Sequence, residues 1–126
     1  MTNLTSLEQR VLEAILRGDH PVLDALREQA ASCRAAGREW TGAGFYTKLE
    51  VPSLASSLRG SARIGGVFAD VEGLRDGAGF VVLVEDGRLA LLEGFSYDEP
   101  WPQTVRSFQV HYRDTEPDLS ALATRT

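Results

Sequence analysis

Hydrophobic residues are densest between positions 77 and 95, where they occur on both sides of a single turn signal, Asp86-Gly87. Asp-Gly is typical of a type I′ turn, which needs positive φ at both central residues. A two-residue loop fixes the pairing of its flanking strands, so the sequence predicts a β-hairpin in which Phe80 lies beside Glu93. The predicted pairs are Glu85–Arg88, Val84–Leu89, Val82–Leu91 and Phe80–Glu93.

This predicted register has three consequences. Glu93 becomes a carboxylate among apolar side chains, either a general acid or base or a group bonded to Arg, Tyr or backbone. Gly79 lies opposite Gly94, and the bare backbone between them needs a cover. Either a tryptophan ring, from Trp101 or Trp40, or a ligand could provide it. Both faces of the hairpin are apolar, so it needs cover on two sides, one of which a homodimer could supply.

The first residues of the chain predict an amphipathic helix over 5–17, because their apolar positions recur at helical spacing. Thr5 and Glu8 are placed to form a capping box at its start. Gly18 is a suitable residue just past its end.

A second helix is predicted to begin at Asp19 or His20, with Pro21 in its first turn. It is predicted to end at Gly37. The link between the two helices is short, so we expect them to be antiparallel neighbours. Cys33 lies on the apolar stripe of the second helix and is interpreted as buried packing rather than as a reactive thiol.

From residue 38 the helical spacing gives way to alternation, which predicts strands over 38–51, 62–71 and 104–113. Gly65-Gly66 permits a bulge in the second of these strands. Residues 53–61 are predicted to form a loop or a single helical turn. Together these elements predict an α+β fold, with two N-terminal antiparallel helices packed on a mostly antiparallel sheet of about five strands.

The length of 126 residues indicates one domain. Its parts would be a helical hairpin (1–37), the sheet (38–113) and a tail (114–126). The tail has few large apolar residues, so it is either frayed or docked by a short turn at Leu119 and Leu122.

The composition of the chain excludes some kinds of site and disfavours some kinds of partner. The chain has one cysteine, which excludes an intrachain disulfide and a multi-cysteine zinc site. It shows neither a secretory signal nor an apolar run that could span a membrane, so we expect a cytoplasmic protein. The formal charge of −5, without a basic stripe, disfavours a nucleic-acid partner.

The common catalytic, metal-binding and phosphate-binding motifs do not occur in the sequence. His20 and His111 lie on different predicted elements, and neither has a second histidine at ligand spacing, so we predict no metal site and no cofactor. The tetrapeptide GAGF occurs at Gly42–Phe45 and again at Gly77–Phe80. It marks either a repeated backbone geometry or a coincidence, and neither copy completes a phosphate-binding motif.

The residues after the hairpin form the first candidate site. Tyr97, Asp98, Glu99 and Trp101 crowd acidic and aromatic side chains into a short stretch. Such a surface suits a basic protein partner, because charge steers the approach and aromatic side chains anchor the contact. The alternative is that Trp101 folds back over the hairpin glycines and that the acidic residues are merely solvated.

The segment GAGF…VEDGRL…LEGFSYDEPWP, within Trp40–Pro102, resembles a signature of small bacterial α+β proteins to which no function is attached. The resemblance therefore carries no activity to this chain. In size and charge the chain is also similar to immunity proteins of bacterial toxin systems.

These observations predict a non-enzymatic protein-binding module, immunity-like in character, that uses Tyr97, Asp98, Glu99 and Trp101. A ligand-binding or hydrolytic pocket floored by Glu93, with residues 53–61 as its roof, is the first alternative. A structural homodimer is the second.

Overall fold

A computed structural model describes residues 3–52, 58–112 and 117–124 of the chain. Two helices, α1 (Ser6–Ile15) and α2 (Pro21–Ser32), precede the strands. The strands are β1 (Arg34–Trp40), β2 (Gly44–Glu50), β3 (Leu58–Arg59), β4 (Ala62–Val71), β5 (Ala78–Glu85), β6 (Arg88–Ser96), β7 (Phe108–His111) and β8 (Ala123–Thr124). Six of them form one antiparallel sheet in the order β1-β2-β6-β5-β4-β7, and β3 pairs with β8. The predicted α+β class, with N-terminal helices packed on an antiparallel sheet, is confirmed.

The predicted capping signals start both helices. In α1 the Thr5 hydroxyl accepts from the backbone N–H of Glu8 at 3.1 Å, and the Glu8 carboxylate accepts from the backbone N–H of Thr5 at 2.8 Å. In α2 the His20 ring accepts from the backbone N–H of Val22 at 3.0 Å, and Pro21 occupies the first turn. Each interaction pairs backbone groups that a helix end would otherwise leave without a partner.

The predicted end of the second helix was wrong. α2 ends at Ser32, and β1 (Arg34–Trp40) follows after one residue. β1 pairs with β2 (Gly44–Glu50). The single strand predicted over 38–51 was therefore wrong, because residues 38–40 end β1, residues 41–43 form a turn, and only residues 44–50 form β2. Pairing with a neighbouring strand outweighed the helical propensity of the arginine and alanines in β1.

β4 has the predicted bounds, and its register with β5 shifts between Ile64 and Val67, at the predicted Gly65-Gly66 bulge. β7 is shorter than the predicted strand over 104–113.

The predicted loop over 53–61 is described only in part. Residues 53–57 lie outside the described residues, and Leu58 and Arg59 form β3. In the C-terminal segment Leu119 and Leu122 are buried and β8 pairs with β3, so the docked alternative holds for residues 117–124.

The central hairpin forms at Asp86-Gly87, whose φ angles of 48° and 79° match the predicted type I′ turn. The first two predicted pairs, Glu85–Arg88 and Val84–Leu89, are confirmed. Beyond them the register shifts by one residue at Ala90, a β-bulge. The predicted pairs Val82–Leu91 and Phe80–Glu93 were therefore wrong, as was the pairing of Gly79 with Gly94. The observed pairs are Val82–Leu92, Phe80–Gly94, Val81–Glu93 and Gly79–Phe95.

The bulge reverses which side chains of β6 face the helices. Leu92 points into the core and is fully buried, whereas Glu93 pairs with Val81 on the opposite face from Phe80. An uninterrupted alternation would have placed the Glu93 carboxylate in the core, where burial of a charge is costly. One extra residue, Ala90, avoids that cost.

The two faces of the large sheet differ in what covers them. The described helices pack against one face, and most of the strand residues that point toward them are buried. The alternating residues lie on the other face, which we call the open face. Its apolar members, all half-buried, include Phe68, Val81, Leu83, Leu91 and Phe95. Its polar members include Glu39, Tyr46, Lys48, Arg63, Asp70 and Glu93.

The two GAGF tetrapeptides have two features in common. The first glycine of each, Gly42 and Gly77, has a positive φ, of 88° and 70° respectively. The phenylalanine of each, Phe45 and Phe80, is buried, and the two ring centroids lie 6.4 Å apart. Gly94 makes room for both, because a Cβ there would lie 2.5 Å from a ring atom of Phe45 and 2.9 Å from one of Phe80.

A buried glutamine fastens α2 to the hairpin turn. The fully buried Gln29 donates from its amide nitrogen to the carbonyl of Gly87 at 2.8 Å, and its amide oxygen accepts from the N–H of Leu89 at 2.9 Å. The same Gly87 carbonyl also accepts from the N–H of Leu58 at 3.2 Å. One side chain thus satisfies two backbone groups that water cannot reach.

Replacing Gln29 with leucine is expected to lower the free energy of unfolding by about 1–3 kcal/mol, because the Leu89 N–H loses its buried partner. Chemical denaturation of the wild type and the variant measures this. The control is Gln9→Leu, on the exposed side of α1, which should stay within about 0.5 kcal/mol of wild type. Equal losses in the two variants would contradict the role of Gln29.

None of the described helices is both long and apolar enough to cross a membrane.

Candidate functional site

The residues predicted to form one acidic, aromatic surface lie at different places. Tyr97 is exposed on the open-face side, stacked on Phe68 at 6.3 Å and edge-on to Phe95 at 5.8 Å. The Phe95 ring and the Tyr97 hydroxyl also cover Gly79, where either a tryptophan ring or a ligand was expected. Asp98 follows as an exposed residue in the left-handed backbone region, with φ of 63°.

Glu99 has a structural role. Its carboxylate accepts from the backbone N–H groups of Arg75 and Asp76, each at 2.9 Å. These two hydrogen bonds hold the pKa of Glu99 below its ordinary value. Its negative charge is thereby engaged in holding the 75–76 turn.

Trp101 lies on the helix side of the sheet. Its ring packs edge-on against Phe45 at 5.3 Å and Phe80 at 6.4 Å, the two rings that cover Gly94. The structure therefore separates Trp101 from Tyr97 by the thickness of the sheet.

Glu93 lies on the open face. One of its oxygens is 3.6 Å from a guanidinium nitrogen of Arg63. It also accepts a hydrogen bond from the Tyr46 hydroxyl, which raises the pKa of Tyr46. The carboxylate thus has the arginine and tyrosine partners of the structural alternative. With Phe80 on the other face, the predicted pocket floored by Glu93 beneath Gly79 and Gly94 loses its basis.

The structure brings together a different set of residues, which we call the tryptophan cleft. It lies between the start of α1, the end of β1 and the segment that follows Trp101, and its volume is about 420 Å³. Its apolar walls are Leu7, Trp40, Phe45, Trp101, Pro102, Val105 and Phe108. Its polar lining consists of Thr5, Ser6, Glu8, Arg38, Gln103 and Thr104. A second lobe of about 350 Å³, between Trp40, Trp101 and the 42–44 turn, adjoins it.

Trp40 is the most exposed of the apolar residues that line the cleft. Its side chain is 62% exposed, although its ring packs on Phe45 at 5.8 Å. The turn at 41–43 fixes its position, because the N–H of Thr41 donates to the carbonyl of Gly44 and the N–H of Trp101 donates to that of Gly42. The β1–β2 hairpin and the segment carrying Trp101 are thus joined directly beside the cleft.

An ion pair between Glu8 and Arg38 lies at the inner end of the cleft, and each oxygen of the Glu8 carboxylate accepts two hydrogen bonds. Glu8 is 2% exposed and binds Arg38 through both oxygens, with N···O distances of 2.6 and 3.0 Å. It also accepts from the backbone of Thr5 at 2.8 Å and from the hydroxyl of Thr47 in β2. Arg38 additionally donates to the carbonyl of Asn3 at 3.2 Å. The pair links α1 to both strands of the first hairpin.

The protonation of Glu8 follows from these contacts. Burial is the largest single influence and opposes ionisation, but the hydrogen bonds from Arg38, Thr47 and the Thr5 backbone together outweigh it. The pKa of Glu8 therefore lies below its ordinary value, and the carboxylate is ionised at neutral pH. A saturated, low-pKa carboxylate is a poor general acid or base near pH 7.

Sequence reasoning assigned Glu8 only to the capping box and did not connect Trp40 with Trp101. The capping box was a sound signal, but one side chain forms both the cap and the ion pair. Nothing in the local pattern around Glu8 indicates Arg38 as its partner. The turn signal at Thr41–Gly44 could have revealed that Trp40 ends a strand beside the core phenylalanines.

The remaining candidate groups are the Cys33 thiol, considered as a nucleophile, and the histidines, considered as metal ligands. Cys33 follows the last residue of α2 as its C-cap and is half-buried against the core, so it does not lie on the stripe of the helix as predicted. Burial raises the pKa of its thiol to about 11, so the thiol is protonated at neutral pH. Within the described residues, no three His, Cys, Asp or Glu side chains converge as metal ligands. His111 instead lies 2.7 Å from an oxygen of Asp70.

No protein-family model, curated protein or solved structure matches this chain.

Proposed function

We propose that the chain is a cytoplasmic, non-enzymatic protein-binding module that receives an apolar side chain of a basic partner in the tryptophan cleft. The observation that carries this proposal is the cleft itself, about 420 Å³ in volume, with a largely exposed Trp40 as its wall. Large exposed aromatic side chains at the edge of a concave apolar site are the usual anchors of protein interfaces.

The lining of the cleft favours an uncharged, apolar side chain of the partner. Its charged lining residues, Glu8 and Arg38, neutralise each other, so the interior carries little net charge. Side chains with hydroxyl and amide groups, at Thr5, Ser6 and Gln103, could hydrogen-bond the backbone of an entering segment. A partner's phenylalanine or leucine with its adjoining backbone fits this arrangement.

Binding is favoured over catalysis by the state of Glu8. A hydrolytic site built on Glu8 would need this carboxylate to exchange protons with substrate near neutral pH. Glu8 is instead committed to Arg38, Thr47 and the cap of α1. The ion pair therefore holds the walls of the cleft in place.

The preference for a basic partner rests on the charge of the whole chain. The formal charge of −5 attracts a positively charged protein over distances longer than a contact and so raises the association rate. A toxin neutralised by an immunity protein of similar size and charge would be one such partner.

Intrinsic fluorescence offers a direct test, because the only two tryptophans of the chain, Trp40 and Trp101, both line the cleft. We would titrate the protein with four short capped peptides that combine a central phenylalanine or serine with flanking lysines or glutamates. The peptide with phenylalanine and lysines is expected to give a saturable change in emission. Replacing either the phenylalanine or the lysines should weaken it.

The matched variants are Trp40→Ala and Tyr112→Ala. Trp40→Ala should weaken peptide binding at least about tenfold, the loss expected at an interface anchor, with Trp101 as the remaining reporter. Tyr112 is another exposed aromatic residue, packed on Arg17 outside the cleft lining, and its removal should leave binding unchanged. If no peptide gives a saturable change, or Trp40→Ala binds as well as wild type, the proposal is wrong.

A further inference from the structure

The open face has the layout of a protein interface. Its centre, on β5 and β6, carries the half-buried apolar residues Val81, Leu83, Leu91 and Phe95, with one carboxylate, that of Glu93, between Leu91 and Phe95. Most of the other charged residues lie on the flanking strands or beside the hairpin turn. An apolar centre within a charged rim is typical of surfaces that associate specifically.

The charges of this rim are divided between the two ends of the strands. Lys48 and Arg63 flank the Leu83–Leu91 pair near the hairpin turn, and Arg63 also lies 3.6 Å from an oxygen of Glu93. Glu39 and Asp70 lie farther from that turn, in line with or beyond Glu93.

The other charges near the turn offset each other. Glu85 faces Arg88 and Arg34 faces Glu50 across neighbouring strands. The face is therefore more positive near the turn and more negative away from it.

This distribution fits a second copy of the same face. When two open faces meet with their strands antiparallel, the positive end of each lies over the negative end of the other. A partner of uniform charge would be repelled by one of the two ends. The two-fold arrangement matches both ends at once.

The size of the face is adequate for such a contact. The six strands lie about 4.8 Å apart, and each is about seven residues long with a rise of about 3.3 Å per residue. These dimensions give the face an area of about 650 Å². A standard interface buries about 800 Å² of accessible surface on each partner, and a plane measured this way understates the accessible area of its side chains.

From these observations we infer that the protein forms a two-fold homodimer through the open face. The tryptophan cleft lies on the helix side of the sheet, so it remains accessible in such a dimer. The inference and the proposed function are therefore independent, and each can fail without the other.

Light scattering coupled to gel filtration tests the inference, with samples from the micromolar to the submillimolar range. The wild type is expected to reach twice the chain mass of 13.8 kDa. The double variant Lys48→Glu/Arg63→Glu, at two exposed positions, should elute at the mass of a single chain, as should Leu83→Asn. The control Arg10→Glu/Arg59→Glu makes the same charge change at exposed positions outside the open face and should remain dimeric.

Tryptophan emission identical to wild type confirms that each variant is folded, because both tryptophans lie on the helix side. A wild type that stays at 13.8 kDa over the whole range would overturn the inference. So would a dimer that persists in both open-face variants, because it would use another surface.

Discussion

Replacing Leu92 with alanine is expected to lower the free energy of unfolding by about 2–5 kcal/mol, whereas replacing the adjacent Leu91 should cost less than about 1 kcal/mol. Leu92 is fully buried between the sheet and the helices. Leu91 is half-buried on the open face, where water replaces much of what it contacts. The same chemical change at neighbouring positions should therefore give very different losses.

Chemical denaturation of both variants, at a protein concentration low enough that light scattering gives the mass of a single chain, measures the difference, since association through the open face would add to the apparent stability. The comparison tests the bulge at Ala90 directly. An uninterrupted register from the Asp86-Gly87 turn would place Leu91 in the core and Leu92 outside. A larger loss for Leu91→Ala than for Leu92→Ala would show that the bulge does not form in solution.

Beyond the bulge, the alternation of apolar and polar residues no longer predicts which face of β6 is buried. The turn and its first two pairs follow from Asp-Gly chemistry, which acts over a few residues. The next residues, Ala90, Leu91 and Leu92, are all apolar, so either face could be the buried one. The choice is made by Phe45 and Phe80, whose rings need a residue without a side chain beneath them, at Gly94. The Phe45 part of that requirement comes from another hairpin and is not visible in the local sequence.

The first hairpin was missed for a related reason. Arg34, Ala35 and Ala36 favour a helix by intrinsic propensity, and they directly continue the pattern of α2. Their extended conformation depends on pairing with β2, and the buried Ala35 lies opposite Leu49. Capping residues, by contrast, act on their own helix, so both helix starts could be predicted.

The candidate site could not be read from residues that are close in sequence. Tyr97 and Trp101 are only a few positions apart, yet the chain turns between them and places them on opposite sides of the sheet. Trp40 and Trp101, far apart in the chain, line one cleft because the N–H of Trp101 bonds the turn that follows Trp40.

Replacing Glu8 with alanine is expected to lower the free energy of unfolding by about 2–4 kcal/mol at neutral pH. Removing one partner of a buried ion pair typically costs about 3–5 kcal/mol, because the other charge is left unpaired. The expected value is lower here because the Arg38 side chain is 23% exposed and can be partly rehydrated. The variant also loses the capping box of α1 and the partner of the Thr47 hydroxyl.

The charge of Glu8, as distinct from its size, can be isolated by pH. Its pKa is lower in the folded protein than its ordinary value of 4.5, so its ionisation stabilises the fold fully above that value. The contribution is lost as the pH falls through the lowered pKa of the folded state. We therefore expect Glu8→Gln, which has nearly the same shape, to be less stable than wild type at pH 7 and to converge with it in acid.

Urea denaturation of the two proteins across the acid range measures this convergence. The control is Glu13→Gln, at an exposed position of the same helix, whose difference from wild type should stay small at every pH. A Glu8→Gln difference that does not shrink in acid would mean that the carboxylate acts through its shape or its cap alone. The Arg38 contact would then contribute no charge-dependent stability, and the inner end of the tryptophan cleft would be held by packing rather than by the ion pair.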